Sequence, residues 1–221
     1  NYSDLVFKFV VIMKRIILFF LLLTAGYITS FGQVKSVLLN AKDEVTLDSA
    51  AASGYAVFGK IAGDSVYTFK KFDFDGILLA SGSFLDDSLQ VPHGKFTYYS
   101  WITPENNPVT MEYTIKGKER FIELTGSYRN GQRTGRWISF YPDGKMKQIM
   151  TFSQGIAHGA YYFYEPNGKM VVSGLYQAGK KNGTWILNGG KQENEYVNDV
   201  LISALKGKKL REKQANDKNV N

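Results

Sequence analysis

The chain has no cysteine among its 221 residues. That absence removes disulfides, thiolate metal sites, thiol nucleophiles and a lipidated N-terminal cysteine together. Two histidines leave a multi-histidine metal centre poorly supplied. Nothing in the spacing makes a phosphate-binding loop, a Gly-x-Ser-x-Gly elbow or a His-Glu-x-x-His motif. Most enzyme classes are thereby disfavoured, and we expect no catalytic centre, no cofactor and no metal ion. Prolines number five, whereas glycines number 22, well above the usual share of ~7%. So many glycines must serve turns or close backbone approaches. With 44% apolar and 14% aromatic residues the chain is well supplied for a buried core.

A net charge of +7 raises the question of nucleic-acid binding. The excess lies at the two ends, at +2 over residues 1–32 and +4 over 206–221, which leaves +1 for the body from 33 to 205. A surface that tracks a phosphate backbone needs clustered cations, so we expect no nucleic-acid partner. Beyond Lys206 the apolar residues nearly vanish, and the composition predicts a flexible basic tail over 206–221.

Near the start, Met13-Lys14-Arg15 precedes an apolar run from Ile16 to Ile28, and Ser30 and Gly32 follow just before Gln33. This is the charged, apolar, small-residue order of a secretory signal peptide. The alternative is an uncleaved anchor, but the run of 13 residues falls short of the ~20 that cross a bilayer. We therefore expect a signal segment over 1–32 and an exported protein, periplasmic, outer-membrane-associated or secreted. Met13 offers a start, with residues 1–12 upstream of it. Membrane contact would then run only through the signal segment or the basic tail.

The body is organised by a period of 24 residues. Tyr128–Trp137, Phe152–Tyr161 and Tyr176–Trp185 superpose at that spacing without gaps. The glycine triplets 131, 155, 179 and 135, 159, 183 obey it too, as do Asp143-Gly144 and Asn167-Gly168. A looser copy runs through Asp75-Gly76, Gly82, Phe84, His93-Gly94 and Phe96–Tyr99, and Glu195–Asn198 reads as a degenerate last one. Between them lie an irregular stretch, Trp101–Asn107, and two expected strands, Val109–Ile115 and Arg120–Tyr128, joined through residues 116–119.

Glycine in these dipeptides supplies the positive φ of tight hairpins, and the runs between them are rich in aromatic and β-branched residues. Each repeat therefore predicts two antiparallel strands and two turns, and the copies together predict an elongated, all-β antiparallel meander over 72–205. Neighbouring hairpins must stabilise one another, because a lone hairpin is marginal in water. Residues 33–71 predict N-terminal capping strands, with Tyr55–Ile61 and Val66–Phe72 flanking a turn at 62–64 and closing the sheet's first edge. Strand alternation sets Trp137, Tyr161 and Trp185 in one ladder and Tyr128, Phe152 and Tyr176 in another, with Ile138, Tyr162 and Ile186 on the opposite face. Val200–Leu205 fits either a last strand or a short helix.

The pattern Tyr-x-x-Gly-x-x-(His/Thr/Asn)-Gly-x-(Trp/Tyr), followed by Pro-(Asp/Asn)-Gly, resembles the MORN repeat. It is similar in particular to the bacterial variant found in proteins labelled YwqK-family toxin–antitoxin antitoxins. The resemblance covers about residues 72–188 and is specific over 126–187. It implies a β-hairpin scaffold for protein or membrane association, with no catalytic residues to carry over. The insertion before His93 and the excursion over 100–125 depart from the pattern.

His93 and His158 share a repeat position that Thr134 and Asn182 fill elsewhere. A site that accepts all three residue types predicts a turn-capping hydrogen bond rather than a metal ligand or general base. Asp73-Phe-Asp75-Gly76 reads as turn chemistry. Adjacent Asp86 and Asp87 offer half of a carboxylate pair or a weak calcium site, without a second half in the spacing. The expected function is a non-enzymatic scaffold that binds a protein or an envelope component, with Trp137, Tyr161, Tyr162 and Trp185 as partner-contact candidates. Two rivals are an antitoxin or immunity protein that neutralises a toxin, and a carbohydrate-binding or envelope enzyme that stacks sugars on its aromatics.

Overall fold

The computed structural model describes residues 34–61, 63–107 and 119–218. The expected signal segment, the expected strand Val109–Ile115 with the link at 116–118, and Ala62 of the expected turn lie outside these residues. The described chain forms fourteen strands and one helix: β1 (Val34–Asn40), β2 (Val45–Thr46), β3 (Ala52–Gly59), β4 (Tyr67–Phe72), β5 (Leu78–Phe84), β6 (Gly94–Trp101), β7 (Arg120–Arg129), β8 (Gln132–Phe140), β9 (Met146–Ser153), β10 (Ile156–Tyr164), β11 (Met170–Gln177), β12 (Lys180–Leu187), β13 (Gln192–Val197), β14 (Val200–Lys206) and α1 (Gly207–Lys218). All strands join one open antiparallel sheet in the order β14 to β3, then β1, then β2. Every strand from β3 to β14 pairs with its sequence neighbour, so the meander read from the sequence is the observed fold.

Two turn types alternate along it. At Asn130-Gly131, Gln154-Gly155 and Ala178-Gly179 both central residues have positive φ, near 50° and then near 80°, the signature of two-residue hairpins whose twist matches the sheet. The other type carries Asp143-Gly144, Asn167-Gly168 and Asp75-Gly76, where the glycine amide donates to the carbonyls of Tyr141 (2.8 Å), Glu165 (2.8 Å) and Asp73 (3.1 Å). Asp73 also accepts from the Ile77 amide at 2.7 Å, so the Asp-Phe-Asp-Gly segment is turn chemistry. A third glycine series, Gly135, Gly159 and Gly183, has positive φ inside strands. Each falls beside a register slip, a bulge that re-aims the aromatic two residues on.

Two expectations change and one open alternative is settled. The hairpin of β3 and β4 does not close the sheet's first edge, because β1 pairs along the outer side of β3 and β2 lies beyond it. Val200–Leu205 takes the strand alternative, as part of β14. The segment expected as a flexible tail is helical over Gly207–Lys218. Gly207, at φ 54, breaks the strand; Lys, Leu, Arg, Glu, Gln and Ala then supply helix propensity, Leu210 is buried, and Lys213 pairs with Glu193 on β13.

Candidate binding surface

One face of the sheet carries the core, and its construction is an alternation across strands. The register sets Phe69 against Gly82, Phe96 against Gly126, Trp137 against Met150, Met150 against Tyr161, Tyr161 against Gly174, and Trp185 against Asn194. Glycine sits where the neighbouring ring must lie flat. A Cβ added to Gly126 would fall 2.2 Å from Cδ2 of Trp137, one on Gly174 2.2 Å from Cδ2 of Trp185, and one on Gly82 2.5 Å from the Phe96 ring. The middle repeat has Met150 in place of glycine and Tyr161 in place of tryptophan, so a larger floor meets a smaller ring.

Between these rings stand the aromatics of the odd strands. Edge contacts link Phe84 to Phe96 (5.5 Å), Phe96 to Tyr128 (5.0 Å), Tyr128 to Trp137 (4.9 Å), Trp137 to Phe152 (6.4 Å) and Tyr176 to Trp185 (5.1 Å). Tyr161 stacks on Trp185 at 5.5 Å. The two ladders expected from the sequence thus interlock in two runs, Phe84 to Phe152 and Tyr161 to Trp185, with Met150 between Trp137 and Tyr161, and each such pair adds about 1 kcal/mol beyond area burial. Burial raises the phenol pKa of Tyr161, and of Tyr176 with help from the Asp199 charge. The indoles find equivalent acceptors, Nε1 of Trp137 donating to Ser127 O and that of Trp185 to Leu175 O, both at 3.2 Å.

This geometry corrects two of the four contact candidates. Trp137 is 3% exposed and Trp185 2%, so both belong to the core and neither is presented to a partner. Tyr161 is half-buried within the same stack. A ladder buried in this way offers no indole platform for sugar rings. The sequence signal that would have found this was Gly126 and Gly174, 48 positions apart with Met150 midway.

Tyr162 lies on the other face. There an unbroken cross-strand row runs Ser36, Val57, Lys70, Ser81, Thr97, Thr125, Ile138, Ile149, Tyr162, Ser173, Ile186, Glu193, Leu205. Its first half is mostly small and polar; from Ile138 to Ile186 it is an apolar strip interrupted only by Ser173. Among the described residues no α-helix packs across β8 to β11 on this face, and within the strip Ile149 is itself buried between its neighbours. Where the chain leaves the repeat, a cleft of about 480 Å³ is lined by Tyr99, Arg120, Phe121, Ile122, Phe140, Pro142 and Gly144. Arg120 lies over the rings of Tyr99 (5.7 Å) and Trp101 (5.8 Å) at its rim.

The polar residues singled out from the sequence are engaged in turns. Nδ1 of His93 accepts from the Asn130 amide at 3.3 Å, and Nδ1 of His158 from the Ala178 amide at 3.4 Å. Each histidine therefore caps the next hairpin, in the role its repeat position predicted. The turn amides of Gly155, Gly179 and Asp199 donate to the carbonyls of Arg133 (3.0 Å), Ala157 (2.8 Å) and Lys181 (2.9 Å), which ties each of these three hairpins to the one before it. Asp86 staples the inserted loop, accepting from the amides of Gln90 (2.9 Å) and Val91 (2.7 Å). Asp87 pairs with Lys35 at 2.7 Å. No cluster of three or more metal-ligating side chains forms among the described residues.

Two of the hairpin repeats match the MORN repeat variant. The matched segments are 133–154 and 157–178, and their starts differ by the 24 residues of the sequence period. No curated protein matches the chain. MORN repeats are in general modules that bind proteins or membranes, and theirs is not a known enzyme family. The matched segments span β8 to β11 and so contain Ile138, Ile149, Tyr162 and Ser173 of the apolar strip.

Proposed function

We propose that this protein is an exported, non-enzymatic repeat scaffold that holds a protein of the cell envelope on the face opposite its aromatic stack. The observation that carries this reading is the division of labour between the two faces. One face spends its large rings on the core, whereas the other leaves Ile138, Tyr162 and Ile186 half-buried on a single-layered sheet. An apolar strip of this kind, rimmed by polar residues, suits a protein partner. His93, His158, Asp86 and Asp87 are tied into turns and ion pairs, which supports binding over catalysis. Export rests on the order of residues 13–33, and N-terminal sequencing of the mature protein tests it: Gln33 at or near the new terminus supports it, and retention of Ile16–Ile28 contradicts it.

Affinity capture from the native envelope, followed by titration of the captured protein, tests the binding reading. Tyr162→Ala should weaken the complex about tenfold or more, as loss of a central aromatic anchor does, with little change in melting temperature. Trp185→Ala should instead cost about 3–5 kcal/mol of stability. An affinity indifferent to Tyr162, or hydrolysis of envelope material by the purified chain, would remove this reading.

A further inference from the structure

The two ends of the sheet are built differently. At one end the last strand, β2, has two residues and is flanked by Asp43, Glu44 and Asp48, the short and charged edge by which sheets avoid pairing with other chains. At the other end β14 is seven residues long, Val-Leu-Ile-Ser-Ala-Leu-Lys, with no charge before Lys206. Val200 is 62% exposed, Leu201 51% and Ile202 60%. The register with β13 slips between Glu195 and Tyr196 and leaves Ile202 unmatched. The helix does not shield it, since the pairing of Lys213 with Glu193 draws α1 back over the sheet.

The repeat itself shows what the edge lacks. On β8, β10 and β12 the carbonyls of Arg133, Ala157 and Lys181 each receive the turn amide of the following hairpin. Among the described residues β14 is the last strand of the sheet, and no further hairpin pairs with its outer edge.

We infer that β14 pairs antiparallel with β14 of a second copy of this chain, about a twofold axis at Ser203, and joins two sheets into one. The sequence is self-complementary in this register. Leu201 faces Leu205 of the second copy, Ile202 faces its Ala204, and Ser203 faces its own counterpart. At each end Lys206 comes beside the hairpin that carries Asp199 of the second copy, so opposite charges meet twice by symmetry. A foreign apolar strand would gain the backbone bonds without that doubled match. Pairing the same edge on both copies also closes the assembly at two chains, where a head-to-tail contact would propagate.

The absence of cysteine makes the test direct. In the full chain held in mild detergent, Ser203→Cys supplies a sole thiol that meets its own copy on the axis, within reach of disulfide geometry. Mild oxidation with diamide should convert Ser203→Cys to a covalent dimer and leave Val200→Cys monomeric, because residue 200 faces residue 206 of the other copy. The unmodified chain should show a concentration-dependent monomer–dimer equilibrium in sedimentation. Ile202→Lys should weaken it about tenfold or more at unchanged melting temperature. A chain that stays monomeric at all concentrations, a dimer indifferent to Ile202→Lys, or equal cross-linking of the two cysteine variants would overturn the inference.

Discussion

Exchanging one repeat's floor and ring for those of its neighbour probes the core at its tightest point. Gly174 faces Trp185, and any Cβ there would stand 2.2 Å and 2.3 Å from indole carbons. Gly174→Met alone therefore overpacks the stack and should cost about 3 kcal/mol. Trp185→Tyr alone removes part of a buried ring together with the indole bond to Leu175 O, and should cost about 2 kcal/mol. The two together recreate the Met150–Tyr161 pairing that the middle repeat already uses. The double variant should then lose no more than about 2 kcal/mol, a coupling of roughly 3 kcal/mol at the upper end of what contacting residues show. Urea unfolding followed by circular dichroism measures all four corners of the cycle. A double variant as unstable as the sum of the singles would refute the claim that ring and floor are matched across strands.

Other outcomes follow from the turns. His158→Ala removes the acceptor of the Ala178 amide and should cost about 1 kcal/mol, whereas His158→Asn should cost less, because an asparagine side chain keeps a carbonyl acceptor; thermal melts compare them. Ala178 holds φ 49, a region costly for alanine and tolerated by asparagine, so Ala178→Asn should raise stability by about 0.5 kcal/mol. At Asp86 burial favours the neutral acid, but hydrogen bonds from the Ser88 hydroxyl and from the amides of Gln90, Val91 and Ser88 outweigh it and hold the carboxyl below its ordinary value. A depressed carboxyl stabilises the fold fully above the unfolded value of ~3.9 and loses that support as pH falls through the folded value. Exchange protection of the Gln90 and Val91 amides should therefore hold at pH 5 and fall in more acidic solution, and Asp86→Asn should lower it already at pH 5.

Local signals carried most of the architecture. A 24-residue period, glycine in each hairpin and aromatic runs between them specify strands, turns and their order, because each hairpin pairs with the next in sequence. The histidine position was equally legible, since only a side-chain acceptor unites His, Thr and Asn. What escaped was set by contacts between strands. Whether Trp137 and Trp185 face solvent or core depends on what stands under them, and the glycines that make room, Gly126 and Gly174, lie 11 residues earlier on another strand. The bulges at Gly135, Gly159 and Gly183 then re-aim the rings, which simple alternation does not anticipate. The helix at the end was missed because its propensity and the burial of Leu210 were outweighed, in a compositional reading, by its charge. β1 and β2 carry no repeat pattern, so capping strands were legible over 33–71 but their order beyond β3 was not.

The central claim is that the hairpins form one open sheet, and a distance across it tests that claim most directly. Ser36 on β1 and Ser173 on β11 belong to the same cross-strand row, nine strands apart in the sheet order. With strands ~4.8 Å apart, spin labels on Ser36→Cys and Ser173→Cys in this cysteine-free chain, diluted with unlabelled protein, should report a single separation of roughly 40 Å. A separation under about 25 Å, as a sheet closed on itself into a barrel would give, would contradict the account.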